Sequence, residues 1–216
     1  MGAGDIDVTP EAIEAAYAAS GNTLGWRLLA SPASTLASAE IAFVGLNPAG
    51  HFEPAGHPRF AVSAGSAYSD ECWGMSPPGQ SPLQRQVLAL FECLRADPET
   101  VLAGNLVPFR SPSWATLRGQ KKSLEYGYEL WQKILSRARP RLIIAMGCEA
   151  AKTLRKIVGA HDEMRVPVGW GKVTGSRSVF PEGVLVGLPH LSRFSIIGRP
   201  QSECGLATLF GSEWRK

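Results

Sequence analysis

Four short apolar runs, each stopping at a polar or turn-forming residue, set the strongest limit on how this chain folds. They are 40–45, which ends in "IAFVG", then "TVLAGNLVPF" at 100–109, "RLIIAM" at 141–146 and "GVLVGLP" at 183–189. Runs this short and this uniformly apolar lack the alternation of a half-exposed sheet, so they read as strands covered on both faces. Helical segments separate them: "PLQRQVLALFECLRA" from Pro82, residues 123–138, and Glu149–Val158. Another helix, "PEAIEAAYAAS", opens with Thr9 as cap and Pro10 in its first turn, and runs until Gly21. The alternation predicts an α/β fold, a three-layer α/β/α sandwich around a mostly parallel sheet of four strands. A weaker β segment or hairpin is expected over 166–180. Right-handed crossovers gather the strand exits along one edge of such a sheet, where open α/β proteins bind ligands.

What stands at those exits is polar. The first strand empties through Gly45 into Leu46, Asn47, Pro48, Ala49 and Gly50, and Pro48 stiffens the turn by restricting Asn47 to extended conformations. Asn105 ends the second strand, and the last delivers His190 into "HLSRFSIIGRP". Between Asn47 and about residue 80 lies a long loop with scattered aromatics, Phe52, Phe60, Tyr68 and Trp73. Loops of that length without a regular pattern are usually functional or disordered.

At 216 residues and 44% apolar content, the chain is expected to fold around one core as a single domain, 1–216. The formal charge of +3 is mildly basic, which suits a nucleic-acid partner without demonstrating one. Cysteines 72, 93, 148 and 204 form no C-x-x-C pair and have no histidine at ligand spacing, so no metal or iron–sulfur site is expected. Reduced thiols, an acidic N-terminus carrying Asp5, Asp7, Glu11 and Glu14, and the absence of a bilayer-length apolar run point to a cytoplasmic protein without membrane attachment.

The exit motifs resemble those of the uracil-DNA glycosylase superfamily. "GLNPAG" is similar to the Gly-x-Asn-Pro-Gly motif of its mismatch-specific and single-strand-selective branches, and "HLSRF" to the second motif, His-Pro-Ser-Pro followed by a wedge residue. "GNLVPF" matches the strand that carries the base-reading asparagine, and "LIIAMGCEAAKTL" the strand–Gly–helix segment between the motifs. The resemblance implies a monomeric, monofunctional enzyme that flips uracil or a related damaged base out of DNA and hydrolyses its N-glycosidic bond, with neither metal nor cofactor. Asn47 would orient the attacking water, and His190 would hydrogen-bond the O2 of the departing base.

Asn105 would read the O4 and N3 edge of uracil, which cytosine presents with donor and acceptor reversed. Gly45, Leu46, Pro48, Ala49 and Ser192 would complete the base pocket, and Phe60, thirteen residues after Asn47, would stack on the base. The same resemblance gives Phe194 the wedge role and Arg193 and Arg199 the phosphate contacts. Two departures matter. Ala49 stands where the fast uracil enzymes carry a tyrosine and the Asn-type branches a glycine, which leaves thymine exclusion open, and Leu191 and Arg193 replace two prolines, which predicts a less rigid histidine loop.

No lysine occupies a motif position that would form a Schiff base, which argues against lyase chemistry. Two other readings compete. One is a catalytically weak superfamily member that binds or senses nucleic acid. The other is a small-molecule α/β enzyme, against which stands the lack of a Gly-rich phosphate loop or a G-x-S-x-G elbow.

Overall fold

In a computed structural model, which describes residues 7–215, the four apolar runs become β1 (Ile41–Gly45), β2 (Leu102–Asn105), β3 (Leu142–Met146) and β6 (Gly183–Leu188). Residues 1–6 and 216, among them Asp5, lie outside the described part. β1 and β3 are buried along their whole length, as the unbroken apolar character of their sequences requires. The sheet runs β2-β1-β3-β6-β5-β4, with the first four strands parallel.

The sheet therefore has six strands, not the four expected. The additional pair is an antiparallel hairpin, β4 (His161–Trp170) and β5 (Val173–Phe180), which adds to the free side of β6. The β segment or hairpin expected over 166–180 covers the second half of β4 and all of β5. In β4 only Val166 and Val168 are buried, so the strand carries too few apolar residues to stand out against the uniform runs of the parallel core.

Helices cover both faces. On one side α1 (Pro10–Ser20), α4 (Gln120–Ala138) and α5 (Cys148–Ile157) pack Ile13, Trp131 and Leu154 on Ala42, Val44 and Ile143. On the other, α3 (Pro82–Cys93) and α6 (Pro200–Phe210) pack Leu90, Phe91 and Leu209 on Phe43, Ile144 and Val186. Alternate residues of each strand thus feed opposite layers, which gives the three-layer α/β/α sandwich.

Local chemistry fixes the helix starts. Thr9 Oγ1 accepts from the Ala12 amide, while Ser81 and Gln84 form a reciprocal capping box in front of Pro82. α3 ends three residues earlier than the apolar pattern reaches, since Arg95 turns to a positive φ of 54°. α6 has no clear sequence signature, because its Ser, Gly and Thr content masks the amphipathic spacing of Leu206, Leu209 and Phe210. Within the long loop a four-residue helix, α2 (Ala67–Asp70), plugs Tyr68 edge-on against Phe43 and Phe91.

The connecting segment 25–30 runs antiparallel along the outer edge of β2. Its contacts include Ala30 N to Ala103 O (2.8 Å), Asn105 N to Leu28 O (2.8 Å) and Arg27 N to Pro108 O (2.7 Å). Leu28 and Leu29 also donate to the carbonyls of Arg59 and Phe60, so the sheet edge next to Asn105 is closed by two layers of chain. Among the described residues no helix is long and apolar enough to cross a membrane, and the four cysteines form no disulfides.

Candidate active site

The carboxyl ends of β2, β1, β3 and β6 lie side by side, and they deliver Asn105, the Gly45–Gly50 turn, Gly147 and His190 to the same edge. Gly45 and Asn105 are register partners. With strands about 4.8 Å apart, the β6 exit lies roughly 10 Å from that of β1. Between them β3 ends at Gly147, whose φ of 99° favours glycine and whose missing side chain leaves open space: a Cβ there would meet nothing within 4 Å. The Gly147 amide instead donates to Leu188 O (2.8 Å), tying β3 to β6 at the rim.

Past β2 the chain stays beside the turn. Leu106, Val107 and Ser111 donate their amides to the carbonyls of Gly45 (2.8 Å), Leu46 (2.8 Å) and Pro48 (3.1 Å). This frame holds Asn47. Its Nδ2 donates to Ser111 Oγ (2.9 Å), Pro48 O (3.2 Å) and Phe109 O (3.4 Å). Two of these partners are carbonyls, which only accept, so the amide orientation is determined and Oδ1 is the atom left to act. Ser111 in turn donates to Ser113 O (2.8 Å).

Asn105 is fixed by the same logic: Nδ2 donates to Arg27 O (3.2 Å), while its own carbonyl accepts from the Trp131 indole (2.8 Å). Its Oδ1 lies 3.7 Å from where a Cβ on Gly45 would stand, and Met146 Cε lies 3.5 Å from that point. Gly45 thus leaves room between the two asparagine-bearing exits.

His190 is exposed at the rim, with Nδ1 2.8 Å from Ser192 Oγ. Protein crowded against the ring, and secondarily the Arg193 guanidinium, push its pKa below the ordinary histidine value of 6.5. The His190 carbonyl accepts from Arg193 N (2.9 Å) and Phe194 N (3.1 Å), which curls the loop into a tight turn. The two prolines expected from the resemblance are absent, and other contacts anchor the loop. Leu191 and Ile196 are fully buried, and Gln86 of α3 both donates to and accepts from the Ile197 backbone (3.1 and 2.9 Å).

The remaining predicted residues are distributed unevenly. Leu46 is half-buried, Pro48 buried and Ala49 exposed. Phe60 is half-buried and packs on the α1/α4 layer, whereas Phe52 of the same loop is 71% exposed. Phe194 is half-buried with its ring edge-on to Trp170 (6.1 Å), and the Arg199 guanidinium lies over the same indole (4.7 Å). Ser192 and Arg193 are exposed.

Four residues around the site carried no motif. Ser111 and Trp131 hold the two asparagines as described. Arg27, 6% exposed, makes a two-pronged ion pair with Glu71 (2.6 and 2.7 Å), and Trp73 Nε1 donates to the same carboxylate (3.1 Å). Burial alone would raise the Glu71 pKa, but Arg27, Trp73 and His57 outweigh it and hold the carboxyl below its usual range. This pair pins the long loop to the β2 edge. Arg110, between Phe109 and Ser111, is 7% exposed and donates through Nη1 to Ala49 O.

Two open surface clefts lie at the opposite, amino-terminal edge of the sheet. The larger, about 400 Å³, is lined by Gln132, Arg139, Ile143, Phe180 and Glu182, and the smaller, about 250 Å³, by Glu40, Arg137 and Arg141. None of the predicted site residues lines either. Neither cleft is lined by a histidine.

No family model matches the chain, and no curated protein sequence does. Among solved structures, one from Salmonella typhimurium LT2, provisionally described as a tRNA synthase, matches over 79% of this chain and 42% of its own, at 11% identity and a TM-score of 0.33. The chain thus spans less than half the length of that structure, and likeness at this level carries no argument about fold or function.

Proposed function

We propose that the chain is a monofunctional DNA glycosylase that hydrolyses the N-glycosidic bond of uracil, or a related damaged base, after flipping it out of DNA. The observation that carries this reading is the shared strand-exit edge of Asn47, Asn105 and His190, three polar residues far apart in sequence. The orientations of the two amides support it. Asn47 Oδ1 is the free acceptor for a water aimed at the anomeric carbon. Asn105 keeps Oδ1 to accept from N3–H and a second Nδ2 proton to donate to O4.

His190 supplies the donor for negative charge growing on O2. A pKa held below 6.5 keeps the ring neutral at pH 7, and in the tautomer in which the Ser192 hydroxyl donates to Nδ1 the ring proton sits on Nε2, ready for O2. An amide is a poor proton acceptor, so Asn47 positions water more than it deprotonates it. The catalytic gain then rests on orientation and on the His190 hydrogen bond.

The alternative, a weakly catalytic member that binds or senses nucleic acid, is favoured by one observation: Trp170 engages both Phe194, the expected wedge, and Arg199, an expected phosphate contact. One assay separates the two. The protein is incubated with single- and double-stranded oligonucleotides bearing uracil, hypoxanthine or mismatched thymine, and alkali-labile sites are counted. The glycosylase reading expects uracil release that falls about a hundredfold in His190→Ala, as for loss of one oxyanion donor, and also falls in Asn47→Ala. Tight binding without abasic product selects the sensor, and indifference to every DNA removes both.

A further inference from the structure

We propose that Arg110 is the anion-binding residue of this site, holding a phosphate group of the ligand beside the Asn47–Gly50 turn. The inference rests on the glycosylase reading only for the source of that phosphate. Arg110 is 7% exposed, yet among the described residues no carboxylate lies within 4 Å of it. Arg27, Arg59, Arg141 and Arg155 each have such a partner.

Of its five N–H donors only Nη1 is engaged, by the Ala49 carbonyl; Nε is enclosed without an acceptor, and Nη2 meets none among the described residues. Burial, then repulsion from Arg27, pushes its pKa below the ordinary arginine value, and Glu53 and Glu71 offset this only through space. A buried cation left without anionic partners is costly, and the cost persists only where something else supplies the oxygens.

Location says what that something is for. Arg110 stands between Phe109 and Ser111, both of which accept from Asn47, so its backbone is fixed by the frame that orients the proposed water-positioning amide. Its amide donates to Gly25 O (3.0 Å), and Nη1 lies 3.5 Å from where a Cβ on Gly50 would stand. The φ of 119° at Gly50 favours glycine there, so the turn beside the guanidinium is held by backbone conformation. Bracing one carbonyl needs only a single donor, whereas a guanidinium offers the flat fork that matches two phosphate oxygens.

The test compares melting temperatures of wild type, Arg110→Gln and Arg110→Lys, with inorganic phosphate replacing chloride at constant ionic strength. Phosphate should raise the wild-type value, raise Arg110→Lys less, and leave Arg110→Gln unmoved. In chloride Arg110→Gln should melt at or above wild type, because an unmatched buried charge has gone. No phosphate effect in wild type, an undiminished effect in Arg110→Gln, or a glutamine variant melting far below wild type while Arg110→Lys matches it in both buffers would make Arg110 a structural brace and overturn the proposal.

A second arm identifies the source. On a single-stranded uracil oligonucleotide, the slope of log K against log salt should flatten by about 0.7 in Arg110→Gln, the value for one lost phosphate contact. A neutral methylphosphonate next to the uracil should produce the same change, without adding to that of the variant. If phosphate stabilises through Arg110 while the DNA slope stays put, the anion belongs to a small phosphorylated ligand. The proposal then stands and the glycosylase reading fails.

Discussion

Replacing Asn47 by aspartate tests the site most sharply, because simple chemistry and the structure predict opposite results. A carboxylate is the better base and should speed the attack of water. The structure predicts a damaged protein instead. Asn47 Nδ2 faces Ser111 Oγ at 2.9 Å, Pro48 O at 3.2 Å and Phe109 O at 3.4 Å, and Ser111 already spends its hydroxyl proton on Ser113 O. A carboxylate oxygen there would meet two carbonyl oxygens and a hydroxyl turned away. The amide's two N–H protons, shared among these three acceptors, are both lost; at about 1 kcal/mol for each, plus the cost of an unmatched charge, the loss is roughly 2–4 kcal/mol. For a domain of this size that is a fall in Tm of roughly 4–16 °C.

The facing carbonyls also raise the pKa of the introduced carboxyl above its unfolded value. The protonated acid can still donate one hydrogen bond, so that stability is present below about pH 4 and is lost as pH rises through the raised folded value. Calorimetry of Asn47→Asp and wild type at several pH values reads this directly, with the Tm gap widening from acid to neutral. A variant as stable as wild type at pH 8, or a gap independent of pH, would refute the orientation assigned to the Asn47 amide.

Other expectations follow from the same geometry. Proton NMR should find His190 titrating below 6.5, and Arg193→Gln should move the midpoint upward; since the unfolded histidine takes its proton first, His190 costs stability as pH falls below 6.5, and His190→Asn should flatten that part of the stability curve. Glu71→Gln leaves Arg27 buried without its partner and should destabilise by about 3 kcal/mol by denaturant unfolding; the pair's stabilisation is present above pH 4.5 and lost as pH drops through the depressed folded value. Gly104→Ala would put a Cβ 2.7 Å from Leu28 O and 3.2 Å from the Trp131 ring. It should cost about 1–3 kcal/mol by overpacking and, through Trp131, loosen the Asn105 backbone, read as a rise in its amide exchange.

The amino-acid sequence alone determined the layered α/β core and the positions of its parallel strands, because uniform burial leaves an uninterrupted apolar signature in four or five residues. It also marked Asn47, Asn105 and His190, since a strand that must leave a sheet within one or two residues does so through glycine, proline and polar side chains. It left the β4–β5 hairpin half-seen and α6 unseen, where partial exposure dilutes the pattern. Only the tertiary structure decided how the amides point, because their acceptors, Phe109 O, Ser111 Oγ and Arg27 O, lie 62, 64 and 78 residues away in the chain. The same is true of Arg110: nothing in the stretch "PFRSP" distinguishes a surface arginine from a buried one, and only folding strips it of water and leaves it without a carboxylate.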